Sequence, residues 1–94
     1  MITLYILIVM LNLFQVVADP TRRGILDLLR DRERSVGEIV ERFTLSQPAV
    51  SRHLRALREA GLVTVRRDGQ RRVYILRAQR LAEIADWAER FRAP

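Results

Sequence analysis

The sequence predicts a mainly α-helical domain with a small β-hairpin, and three patterns support this fold class. Two short helical segments, opened by capping serines at Ser35 and Ser46, follow one another with only a brief turn between them. Two strand-like runs that flank Gly69 come next. Helical periodicity then returns over residues 78–92. With two helical stretches before Ser35, the predicted order is α-α-α-α-β-β-α, that of a winged helix-turn-helix in a single domain over residues 1–94.

The N-terminal arm, residues 1–18, is uncharged and largely apolar. The seventeen residues 2–18 only reach the lower limit for a membrane span, and Asn12 and Gln15 interrupt them. Neither a basic cluster nor a cleavage site flanks the run, so we expect no signal peptide. We interpret the arm as a first helix or extended segment buried between subunits, with a membrane tether as the alternative.

Asp19 and Pro20 mark the start of the next helix, as N-cap and first helical residue. This helix is predicted to run to about Asp31, with its apolar side facing inward at Ile25, Leu28 and Leu29. The charged residues 31–34 that follow are predicted to form a loop.

Residues 35–60 predict the helix-turn-helix itself. Ser35 and Glu38 form a capping box for its first helix. In the second helix, an apolar stripe at residues 50, 54 and 57 faces the core, and Arg52 lies opposite at about 100° per residue. Such an outward face reaches base edges in the major groove. The candidate DNA-binding side chains of this recognition helix are Ser46, Gln47, Pro48, Ser51, Arg52 and Arg55.

The hairpin at residues 62–76, the wing, follows Gly61, which is predicted to end the recognition helix in the left-handed conformation. A three-residue turn at residues 68–70 is the predicted connection. It would place Val63 and Val65 on one face with Val73 and Ile75. The polar and basic wing residues predicted to meet phosphates or the minor groove are Arg66, Arg67, Gln70, Arg71 and Arg72.

Charge is concentrated in this half of the chain. Residues 46–80 hold nine arginines and two acids, whereas the remainder holds eight arginines and nine acids. A solvated basic face is the usual explanation of charge alone, but here the charge coincides with the recognition helix and the wing. Double-stranded DNA is therefore the predicted partner.

Residues 78–92 predict a dimerisation helix, because apolar side chains recur at spacings of 3, 4 and 3 as in a coiled-coil seam. Packing within the monomer is the alternative, but a small winged domain is complete without this helix. Together with the N-terminal arm, the seam predicts a two-fold interface made of Leu4, Leu7, Leu11, Phe14, Leu81, Ile84, Trp87, Ala88 and Phe91.

The composition excludes several kinds of site. Without cysteine the chain has no disulfide, thiolate metal site or thiol redox switch. The sole histidine, His53, lies beside the apolar stripe, where a partly buried structural role is expected. No nucleophile–base pair or glycine-rich phosphate loop is visible, so we expect no catalysis, cofactor or metal.

These motifs resemble the ArsR family of bacterial winged-helix repressors over residues 11–92. The final helix with Trp87 and Phe91 resembles the SdpR-like autorepressor subgroup. The motifs that carry the family resemblance are Asp19-Pro-Thr-Arg-Arg23, Ser35-Val-Gly-Glu-Ile39, Leu45-Ser-Gln-Pro-Ala-Val-Ser-Arg-His-Leu54, Leu57-Arg-Glu-Ala-Gly-Leu-Val63 and Arg66-Arg-Asp-Gly69.

The resemblance implies a homodimer, joined through its first and last helices, that covers a promoter until an inducer releases it. It also implies base contacts by Gln47, Ser51 and Arg52. The family's metal sensors use cysteines, or histidine–carboxylate pairs on the last helix. Ser35 stands where a sensing cysteine would be, so the resemblance extends to DNA binding and dimerisation but not to metal sensing.

The predicted function is that of a cytoplasmic, homodimeric, sequence-specific DNA-binding repressor with an unidentified inducer or partner protein. Two alternatives from other classes stay open. One is a winged-helix module that binds protein or RNA, and the other is a membrane-associated regulator tethered by the N-terminal arm.

Overall fold

The computed structural model describes residue 4 and residues 13–93. Residues 13–18 are helical, and the chain then turns at Asp19. The elements that follow, in order, are α1 (Pro20–Asp31), β1 (Arg34–Ser35), α2 (Val36–Glu41), α3 (Gln47–Glu59), β2 (Val63–Asp68), β3 (Arg71–Leu76), a 3₁₀ turn (Ala78–Arg80) and α4 (Leu81–Glu89). The predicted fold class is confirmed, with one additional strand.

The helices start where their capping residues predict. The Asp19 carboxylate accepts hydrogen bonds from the backbone N–H groups of Thr21 at 2.8 Å and Arg22 at 3.1 Å. The Ser35 hydroxyl accepts from the Glu38 N–H at 3.2 Å, and the Glu38 carboxylate accepts from the Ser35 N–H at 2.9 Å. These side chains satisfy first-turn amides that have no partner within the helix.

The core lies where α1, α2, α3 and the sheet meet. The stripe of α3 is completely buried, and Ile25 and Leu29 of α1 are buried as predicted, whereas Leu28 is half-buried and Leu26 takes its place. The buried residues that form one cluster are Leu13, Val16, Ile25, Leu26, Leu29, Ile39, Val50, Leu54, Leu57, Ala60, Leu62, Val63 and Tyr74.

The sheet has three strands in the order β1-β3-β2, which corrects the predicted loop at residues 31–34. Arg34 pairs with Tyr74 across the sheet, and Ser35 pairs with Val73. The Arg34 guanidinium is 5% exposed and donates to the Asp31 carboxylate at 3.0 Å. A strand of two residues is too short to show an alternating pattern, so its sequence carries no strand signal.

The predicted register of the wing is wrong. Asp68 pairs with Arg71, which leaves a two-residue turn at residues 69–70, and Val65 pairs with Tyr74. Gly69 has a φ of +64° at the first turn position, as type II′ hairpin turns require. Val73 and Tyr74 of the central strand β3 are both buried. Because consecutive residues are buried, β3 does not show the alternation of apolar and polar residues from which a register could be predicted.

Gly61 ends α3 as predicted, with a φ of +77°. Its N–H donates to the Arg58 carbonyl at 3.0 Å, and the Leu62 N–H donates to the Leu57 carbonyl at 2.9 Å. These two bonds define a Schellman motif, which satisfies the last carbonyls of the helix and directs the chain into β2.

The predicted continuous helix at residues 78–92 is also corrected. Its first three residues form the 3₁₀ turn, and no side chain caps either this turn or α4. After Glu89 the N–H groups of residues 90–92 bond to carbonyls three residues back, so the last turn tightens and the α-helix stops.

Candidate nucleic-acid interface

The outer face of α3 presents all of the predicted recognition residues to solvent. Ser46 caps the helix by accepting from the Ala49 N–H at 3.3 Å, and the exposed set is Ser46, Gln47, Pro48, Ser51, Arg52 and Arg55. Within residues 13–93, Arg52 forms no ion pair. Its guanidinium is therefore available to an external partner.

The orientation of this face is fixed from behind. Burial of the whole α3 stripe sets the rotation of the helix about its axis. On the flank, the half-buried His53 accepts a hydrogen bond at Nδ1 from Nε of Arg22 in α1, at 3.1 Å. His53 thus links two helices, in keeping with its expected structural role, and the exposed side chains project from a rigid support.

The pleat of the wing sorts its arginines onto two faces. Arg67 and Arg72 pair across the strands and lie on the same face as Val65 and Tyr74. Arg66 and Arg71 occupy the opposite face. The sequence treats these four exposed arginines as equivalent, whereas the structure gives the two faces different surroundings.

The arginines of the second face are paired with acids of the segment around β1 and α2. The Arg66 guanidinium pairs with Glu33, and the Arg71 guanidinium donates to Glu38 at 3.1 Å. Hydrogen bonds from Ser35 hold the pKa of Glu38 below its ordinary value, with smaller contributions from Arg32 and Arg71. Glu38 therefore stays ionised and links the capping box to the wing.

Two open clefts join α3 to the wing. One brings Gln47 beside Gln70, Arg71 and Arg72, with the start of α2 as its third wall. The other, called the α3–wing cleft, is lined by Ser51, Arg55, Arg58, Arg72 and Tyr74. Six of the eleven predicted residues thus line these two clefts, which share Arg72. The predicted residues that lie outside both clefts are Ser46, Pro48, Arg52, Arg66 and Arg67.

The sequence reasoning missed Arg58 and Tyr74. Arg58 follows Ser51 by seven residues and Arg55 by three, so its helical spacing could have indicated that it shares their side of α3. Nothing in the sequence indicated a role for Tyr74, because β3 has the pattern of an ordinary buried strand. Its position opposite α3 across the cleft depends on tertiary packing.

The comparisons with known proteins agree with this geometry. The family model described as "Bacterial regulatory protein, arsR family" matches residues 19–65, which include α1, both helices of the helix-turn-helix and the start of the wing. The chain belongs to the ArsR family. It is accordingly a DNA-binding transcriptional regulator, and the helix-turn-helix and wing described above are the parts expected to meet DNA.

Individual ArsR-family relatives cover most of the chain. The "Transcriptional repressor SdpR" of Bacillus subtilis is 39% identical over 85% of this chain and 89% of its own length. A crystal structure of a "Possible transcriptional regulator for arsenical resistance" matches with a TM-score of 0.76 and 42% identity, over 85% of this chain and 83% of that one. The HlyU protein of Vibrio cholerae matches with a TM-score of 0.73 and 36% identity, over 87% and 89%.

A second surface of this ArsR-family chain is apolar and aromatic. Trp87 of α4 makes edge-to-face contacts with Phe14 and Phe91, with ring centroids 5.3 and 5.1 Å apart. Trp87 is 44% exposed and Phe91 72% exposed, whereas Leu81 and Ile84 are half-buried against the core of their own chain. Ala88 and Leu4 are exposed, and the predicted interface residues Leu7 and Leu11 lie outside the described residues.

Within residue 4 and residues 13–93, no three His, Asp or Glu side chains are grouped closely enough to hold a metal ion. No described helix is both long and apolar enough to cross a membrane. Residues 1–3, 5–12 and 94 lie outside the described part of the chain.

Proposed function

We propose that this protein is a homodimeric repressor that occupies an operator, with α3 of each subunit in the major groove and each wing against the adjacent backbone. Gln47, Ser51 and Arg52 read base edges, and the wing arginines hold phosphates. The relative from Bacillus subtilis is named a transcriptional repressor, which supports repression as the mode of regulation.

The observation that carries this proposal is Arg52, which is exposed and has no ion-pair partner among residues 13–93. A guanidinium offers five donors in a planar fork and pairs with the two acceptors of a guanine edge. Arg52 projects from the N-terminal half of a helix whose back is completely buried, so the fork is presented to the groove by a rigid element.

Dimerisation is supported by the aromatic surface. Trp87 and Phe91 are exposed and their rings contact each other, so together they form an exposed apolar patch of the kind that marks interaction sites. A second copy of the chain, applied about a two-fold axis, would cover these rings and set two α3 helices against two half-sites. We place this dimer in the cytoplasm, where it has access to DNA.

The role so proposed is one of binding, with neither a catalytic step nor a cofactor. The inducer is expected to be something other than a metal ion, since the chain has no cysteine and its one histidine is engaged with Arg22. A small molecule or a partner protein that favours the DNA-free form would release the operator.

Salt-titrated binding of Arg52→Ala tests the proposal. The duplexes are the region upstream of the protein's own gene and a scrambled version of it. Arg52→Ala should cost about 1–3 kcal/mol on the upstream duplex and much less on the scrambled one, because a base contact is lost. The matched control is Arg30→Ala, an exposed arginine of α1 that lies outside the helix-turn-helix and the wing.

Equal weakening of both duplexes by Arg52→Ala would show that this residue does not read sequence. Binding to RNA or to a protein without binding to duplex DNA would favour the winged-helix module of another class. Recovery of the protein in the membrane fraction of cells would favour a tether.

A further inference from the structure

We infer that the α3–wing cleft is a binding site for one phosphodiester group of the operator backbone, held by Arg58, Arg72 and the hydroxyl of Tyr74. The inference rests on the proposed function, because the phosphate is one flanking the base pairs that α3 reads. It adds Arg58 and Tyr74 to the interface and gives them a positioning role.

The helix side of the cleft is a single stripe. Ser51, Arg55 and Arg58 follow one another at spacings of four and three residues, so they lie on one side of α3. This stripe runs beside the completely buried residues 50, 54 and 57. The stripe therefore runs along the edge of the core next to the sheet, with Ser51 at its N-terminal end bordering the face that enters the groove and Arg58 at its other end.

The strand side of the cleft comes from β3. Arg72 and Tyr74 are two residues apart in the strand, so their side chains leave the sheet on the same face. β3 is the central strand, bonded to β1 on one edge and β2 on the other. Tyr74 pairs with Arg34 of β1 and with Val65 of β2, so its backbone is held on both edges, whereas Arg72 pairs with Arg67 of β2, beyond the end of β1.

The charges in the cleft lack an internal counterpart. Three guanidinium groups line it, and no carboxylate does. Glu59 lies nearby and accepts from Arg55 at 3.0 Å, but both side chains are largely exposed, so the pair is weak. Within residues 13–93, Arg58 and Arg72 form no ion pair. An anion placed among them would relieve the mutual repulsion of the three arginines.

Tyr74 places a hydroxyl group at the cleft. The residue is only 6% exposed, but its hydroxyl, which bonds to no described residue, is not enclosed and reaches solvent. The ring is therefore held in the core while the hydroxyl is free to donate to a ligand. Since Tyr74 lines the cleft, a phosphate oxygen there could accept the hydroxyl proton, as tyrosines do at DNA backbones.

The size of the cleft suits a phosphodiester. Its volume is about 280 Å³, which admits one phosphate group with several water molecules of about 30 Å³ each. It is open to solvent, so a continuous strand can pass across it without being threaded.

Two variants test the site by salt-titrated binding to the upstream and scrambled duplexes. Arg58→Ala should weaken both duplexes about tenfold and reduce the salt slope by about one unit. Tyr74→Phe keeps the buried ring and removes only the hydroxyl, so it should weaken both about fivefold without changing base preference. Arg30→Ala is the control for loss of an exposed arginine and should leave both affinities unchanged.

A scan of the upstream duplex with single neutral methylphosphonate linkages locates the phosphate. One position per half-site should weaken binding of the unmodified protein, and the same modification should weaken binding of Arg58→Ala and Tyr74→Phe by a smaller factor, because each variant has already lost one contact to that phosphate. Titration with inorganic phosphate, followed by NMR of the Arg58 and Tyr74 side chains, distinguishes a free anion from the DNA backbone. Saturation by millimolar phosphate with no sensitive linkage in the duplex would assign the cleft to a free anion and overturn the inference.

The outcomes separate this inference from the function on which it rests. Failure of the unmodified protein to bind the upstream duplex would contradict the proposed function. Binding that depends on Arg52 but is unchanged in Arg58→Ala and Tyr74→Phe would leave the function in place and overturn the phosphodiester site. Circular dichroism of both variants identifies any loss of binding caused by unfolding, and Tyr74→Phe preserves the packing.

Discussion

Arginine supplies all of the positive charge in this chain, and the structure gives individual arginines different tasks. Arg23 donates to the carbonyls of Val17 and Ala18 at 2.8 and 2.9 Å, and Arg80 donates to the Ala60 carbonyl at 2.6 Å. These two side chains close helix ends whose last carbonyls have no partner within the helix. The net charge of +6 therefore overstates how many arginines are free to meet a polyanion.

The Arg66–Glu33 pair predicts that removing an acid strengthens DNA binding. Glu33→Gln should release Arg66 to the backbone, raise affinity for every duplex and steepen the salt slope by about one unit. Binding measured at several salt concentrations checks this. Glu41→Gln removes an exposed acid that forms no ion pair among the described residues, and it serves as the control. Equal slopes for the two variants would show that Arg66 does not reach DNA.

Asp19 predicts an acid-sensitive contribution to stability. A hydrogen bond from the Arg22 backbone N–H lowers the pKa of the Asp19 carboxyl, and the Thr21 N–H, His53 and the Arg22 guanidinium lower it further. Because the folded-state pKa lies below the unfolded-state pKa, the ionised Asp19 carboxylate stabilises the protein at pH values above the unfolded-state pKa. This stabilisation is lost as the pH falls through the folded-state pKa.

Thermal unfolding of Asp19→Ala and Asp19→Asn tests this cap. Asp19→Ala should lose about 1 kcal/mol at neutral pH, since the first-turn amides lose their acceptor. Asp19→Asn keeps a capping oxygen, so at neutral pH it should be nearly as stable as the unmodified protein. Below about pH 4 it should lose less stability than the unmodified protein does. Parallel acid unfolding of Asp19→Asn and the unmodified protein would contradict the role of the charge.

At the scale of whole elements, the two glycines with positive φ separate backbone strain from side-chain crowding. A Cβ at Gly69 would meet nothing within 4 Å, whereas a Cβ at Gly61 would lie 3.1 Å from Cδ of Arg80. Gly69→Ala should therefore lower the free energy of unfolding by about 1–2 kcal/mol, the cost of placing alanine in the left-handed conformation. Gly61→Ala should cost about 1 kcal/mol more, because it displaces the Arg80 hydrogen bond to Ala60.

Chemical denaturation of both glycine variants, alone and combined with Arg80→Ala, measures this difference. In the Arg80→Ala background the two alanine substitutions should become equally costly. A difference that persists without the Arg80 side chain would contradict this explanation of the Gly61 position.

Elements governed by local chemistry could be predicted from the sequence. Asp19, Ser35 and Ser46 start their helices by bonding to amides two or three residues away, and Gly61 ends α3 through its own backbone conformation. The exposed face of α3 followed from helical periodicity in the same way. The candidate recognition residues were therefore placed correctly on the surface by sequence reasoning.

Elements governed by distant partners could not be predicted. β1 exists because residues 34–35 pair with β3 almost forty residues later in the chain. The ion pairs of Arg66 and Arg71 likewise join the wing to distant residues around β1 and α2. Glycine has a low helix propensity, so Gly24 is unfavourable by local chemistry alone. A Cβ at this position, however, would lie 3.2 Å from the ring of Phe43. The α3–wing cleft has the same origin, since it depends on how a helix and a sheet pack.

For the whole molecule, the described residues form a basic surface on α3 and the wing and an aromatic surface on α4. Ile84 is a poor probe of dimerisation, because it also packs against the core of its own chain. Phe91 is a better one, since its ring is 72% exposed and, among the described aromatic side chains, contacts only the surface residue Trp87.

Phe91→Asp should dissociate the proposed dimer without unfolding the subunit. Burying an unpaired carboxylate at the interface should raise the dimer dissociation constant by at least about thirtyfold. Analytical ultracentrifugation measures this. Ala82→Asp adds the same charge at an exposed position on the other side of α4 and should leave the dimer intact. An unmodified protein that is monomeric at micromolar concentration would contradict the proposed dimer.

Hydroxyl-radical footprinting on the region upstream of the protein's own gene tests the central claim most directly. A dimer that places two α3 helices in the major groove should protect two symmetric half-sites, with centres about 10–10.5 base pairs apart or a small multiple of that spacing. Arg52→Ala should lose both protected tracts at concentrations where Arg30→Ala retains them. Protection that spreads evenly along the duplex, or a single tract without two-fold symmetry, would contradict the account.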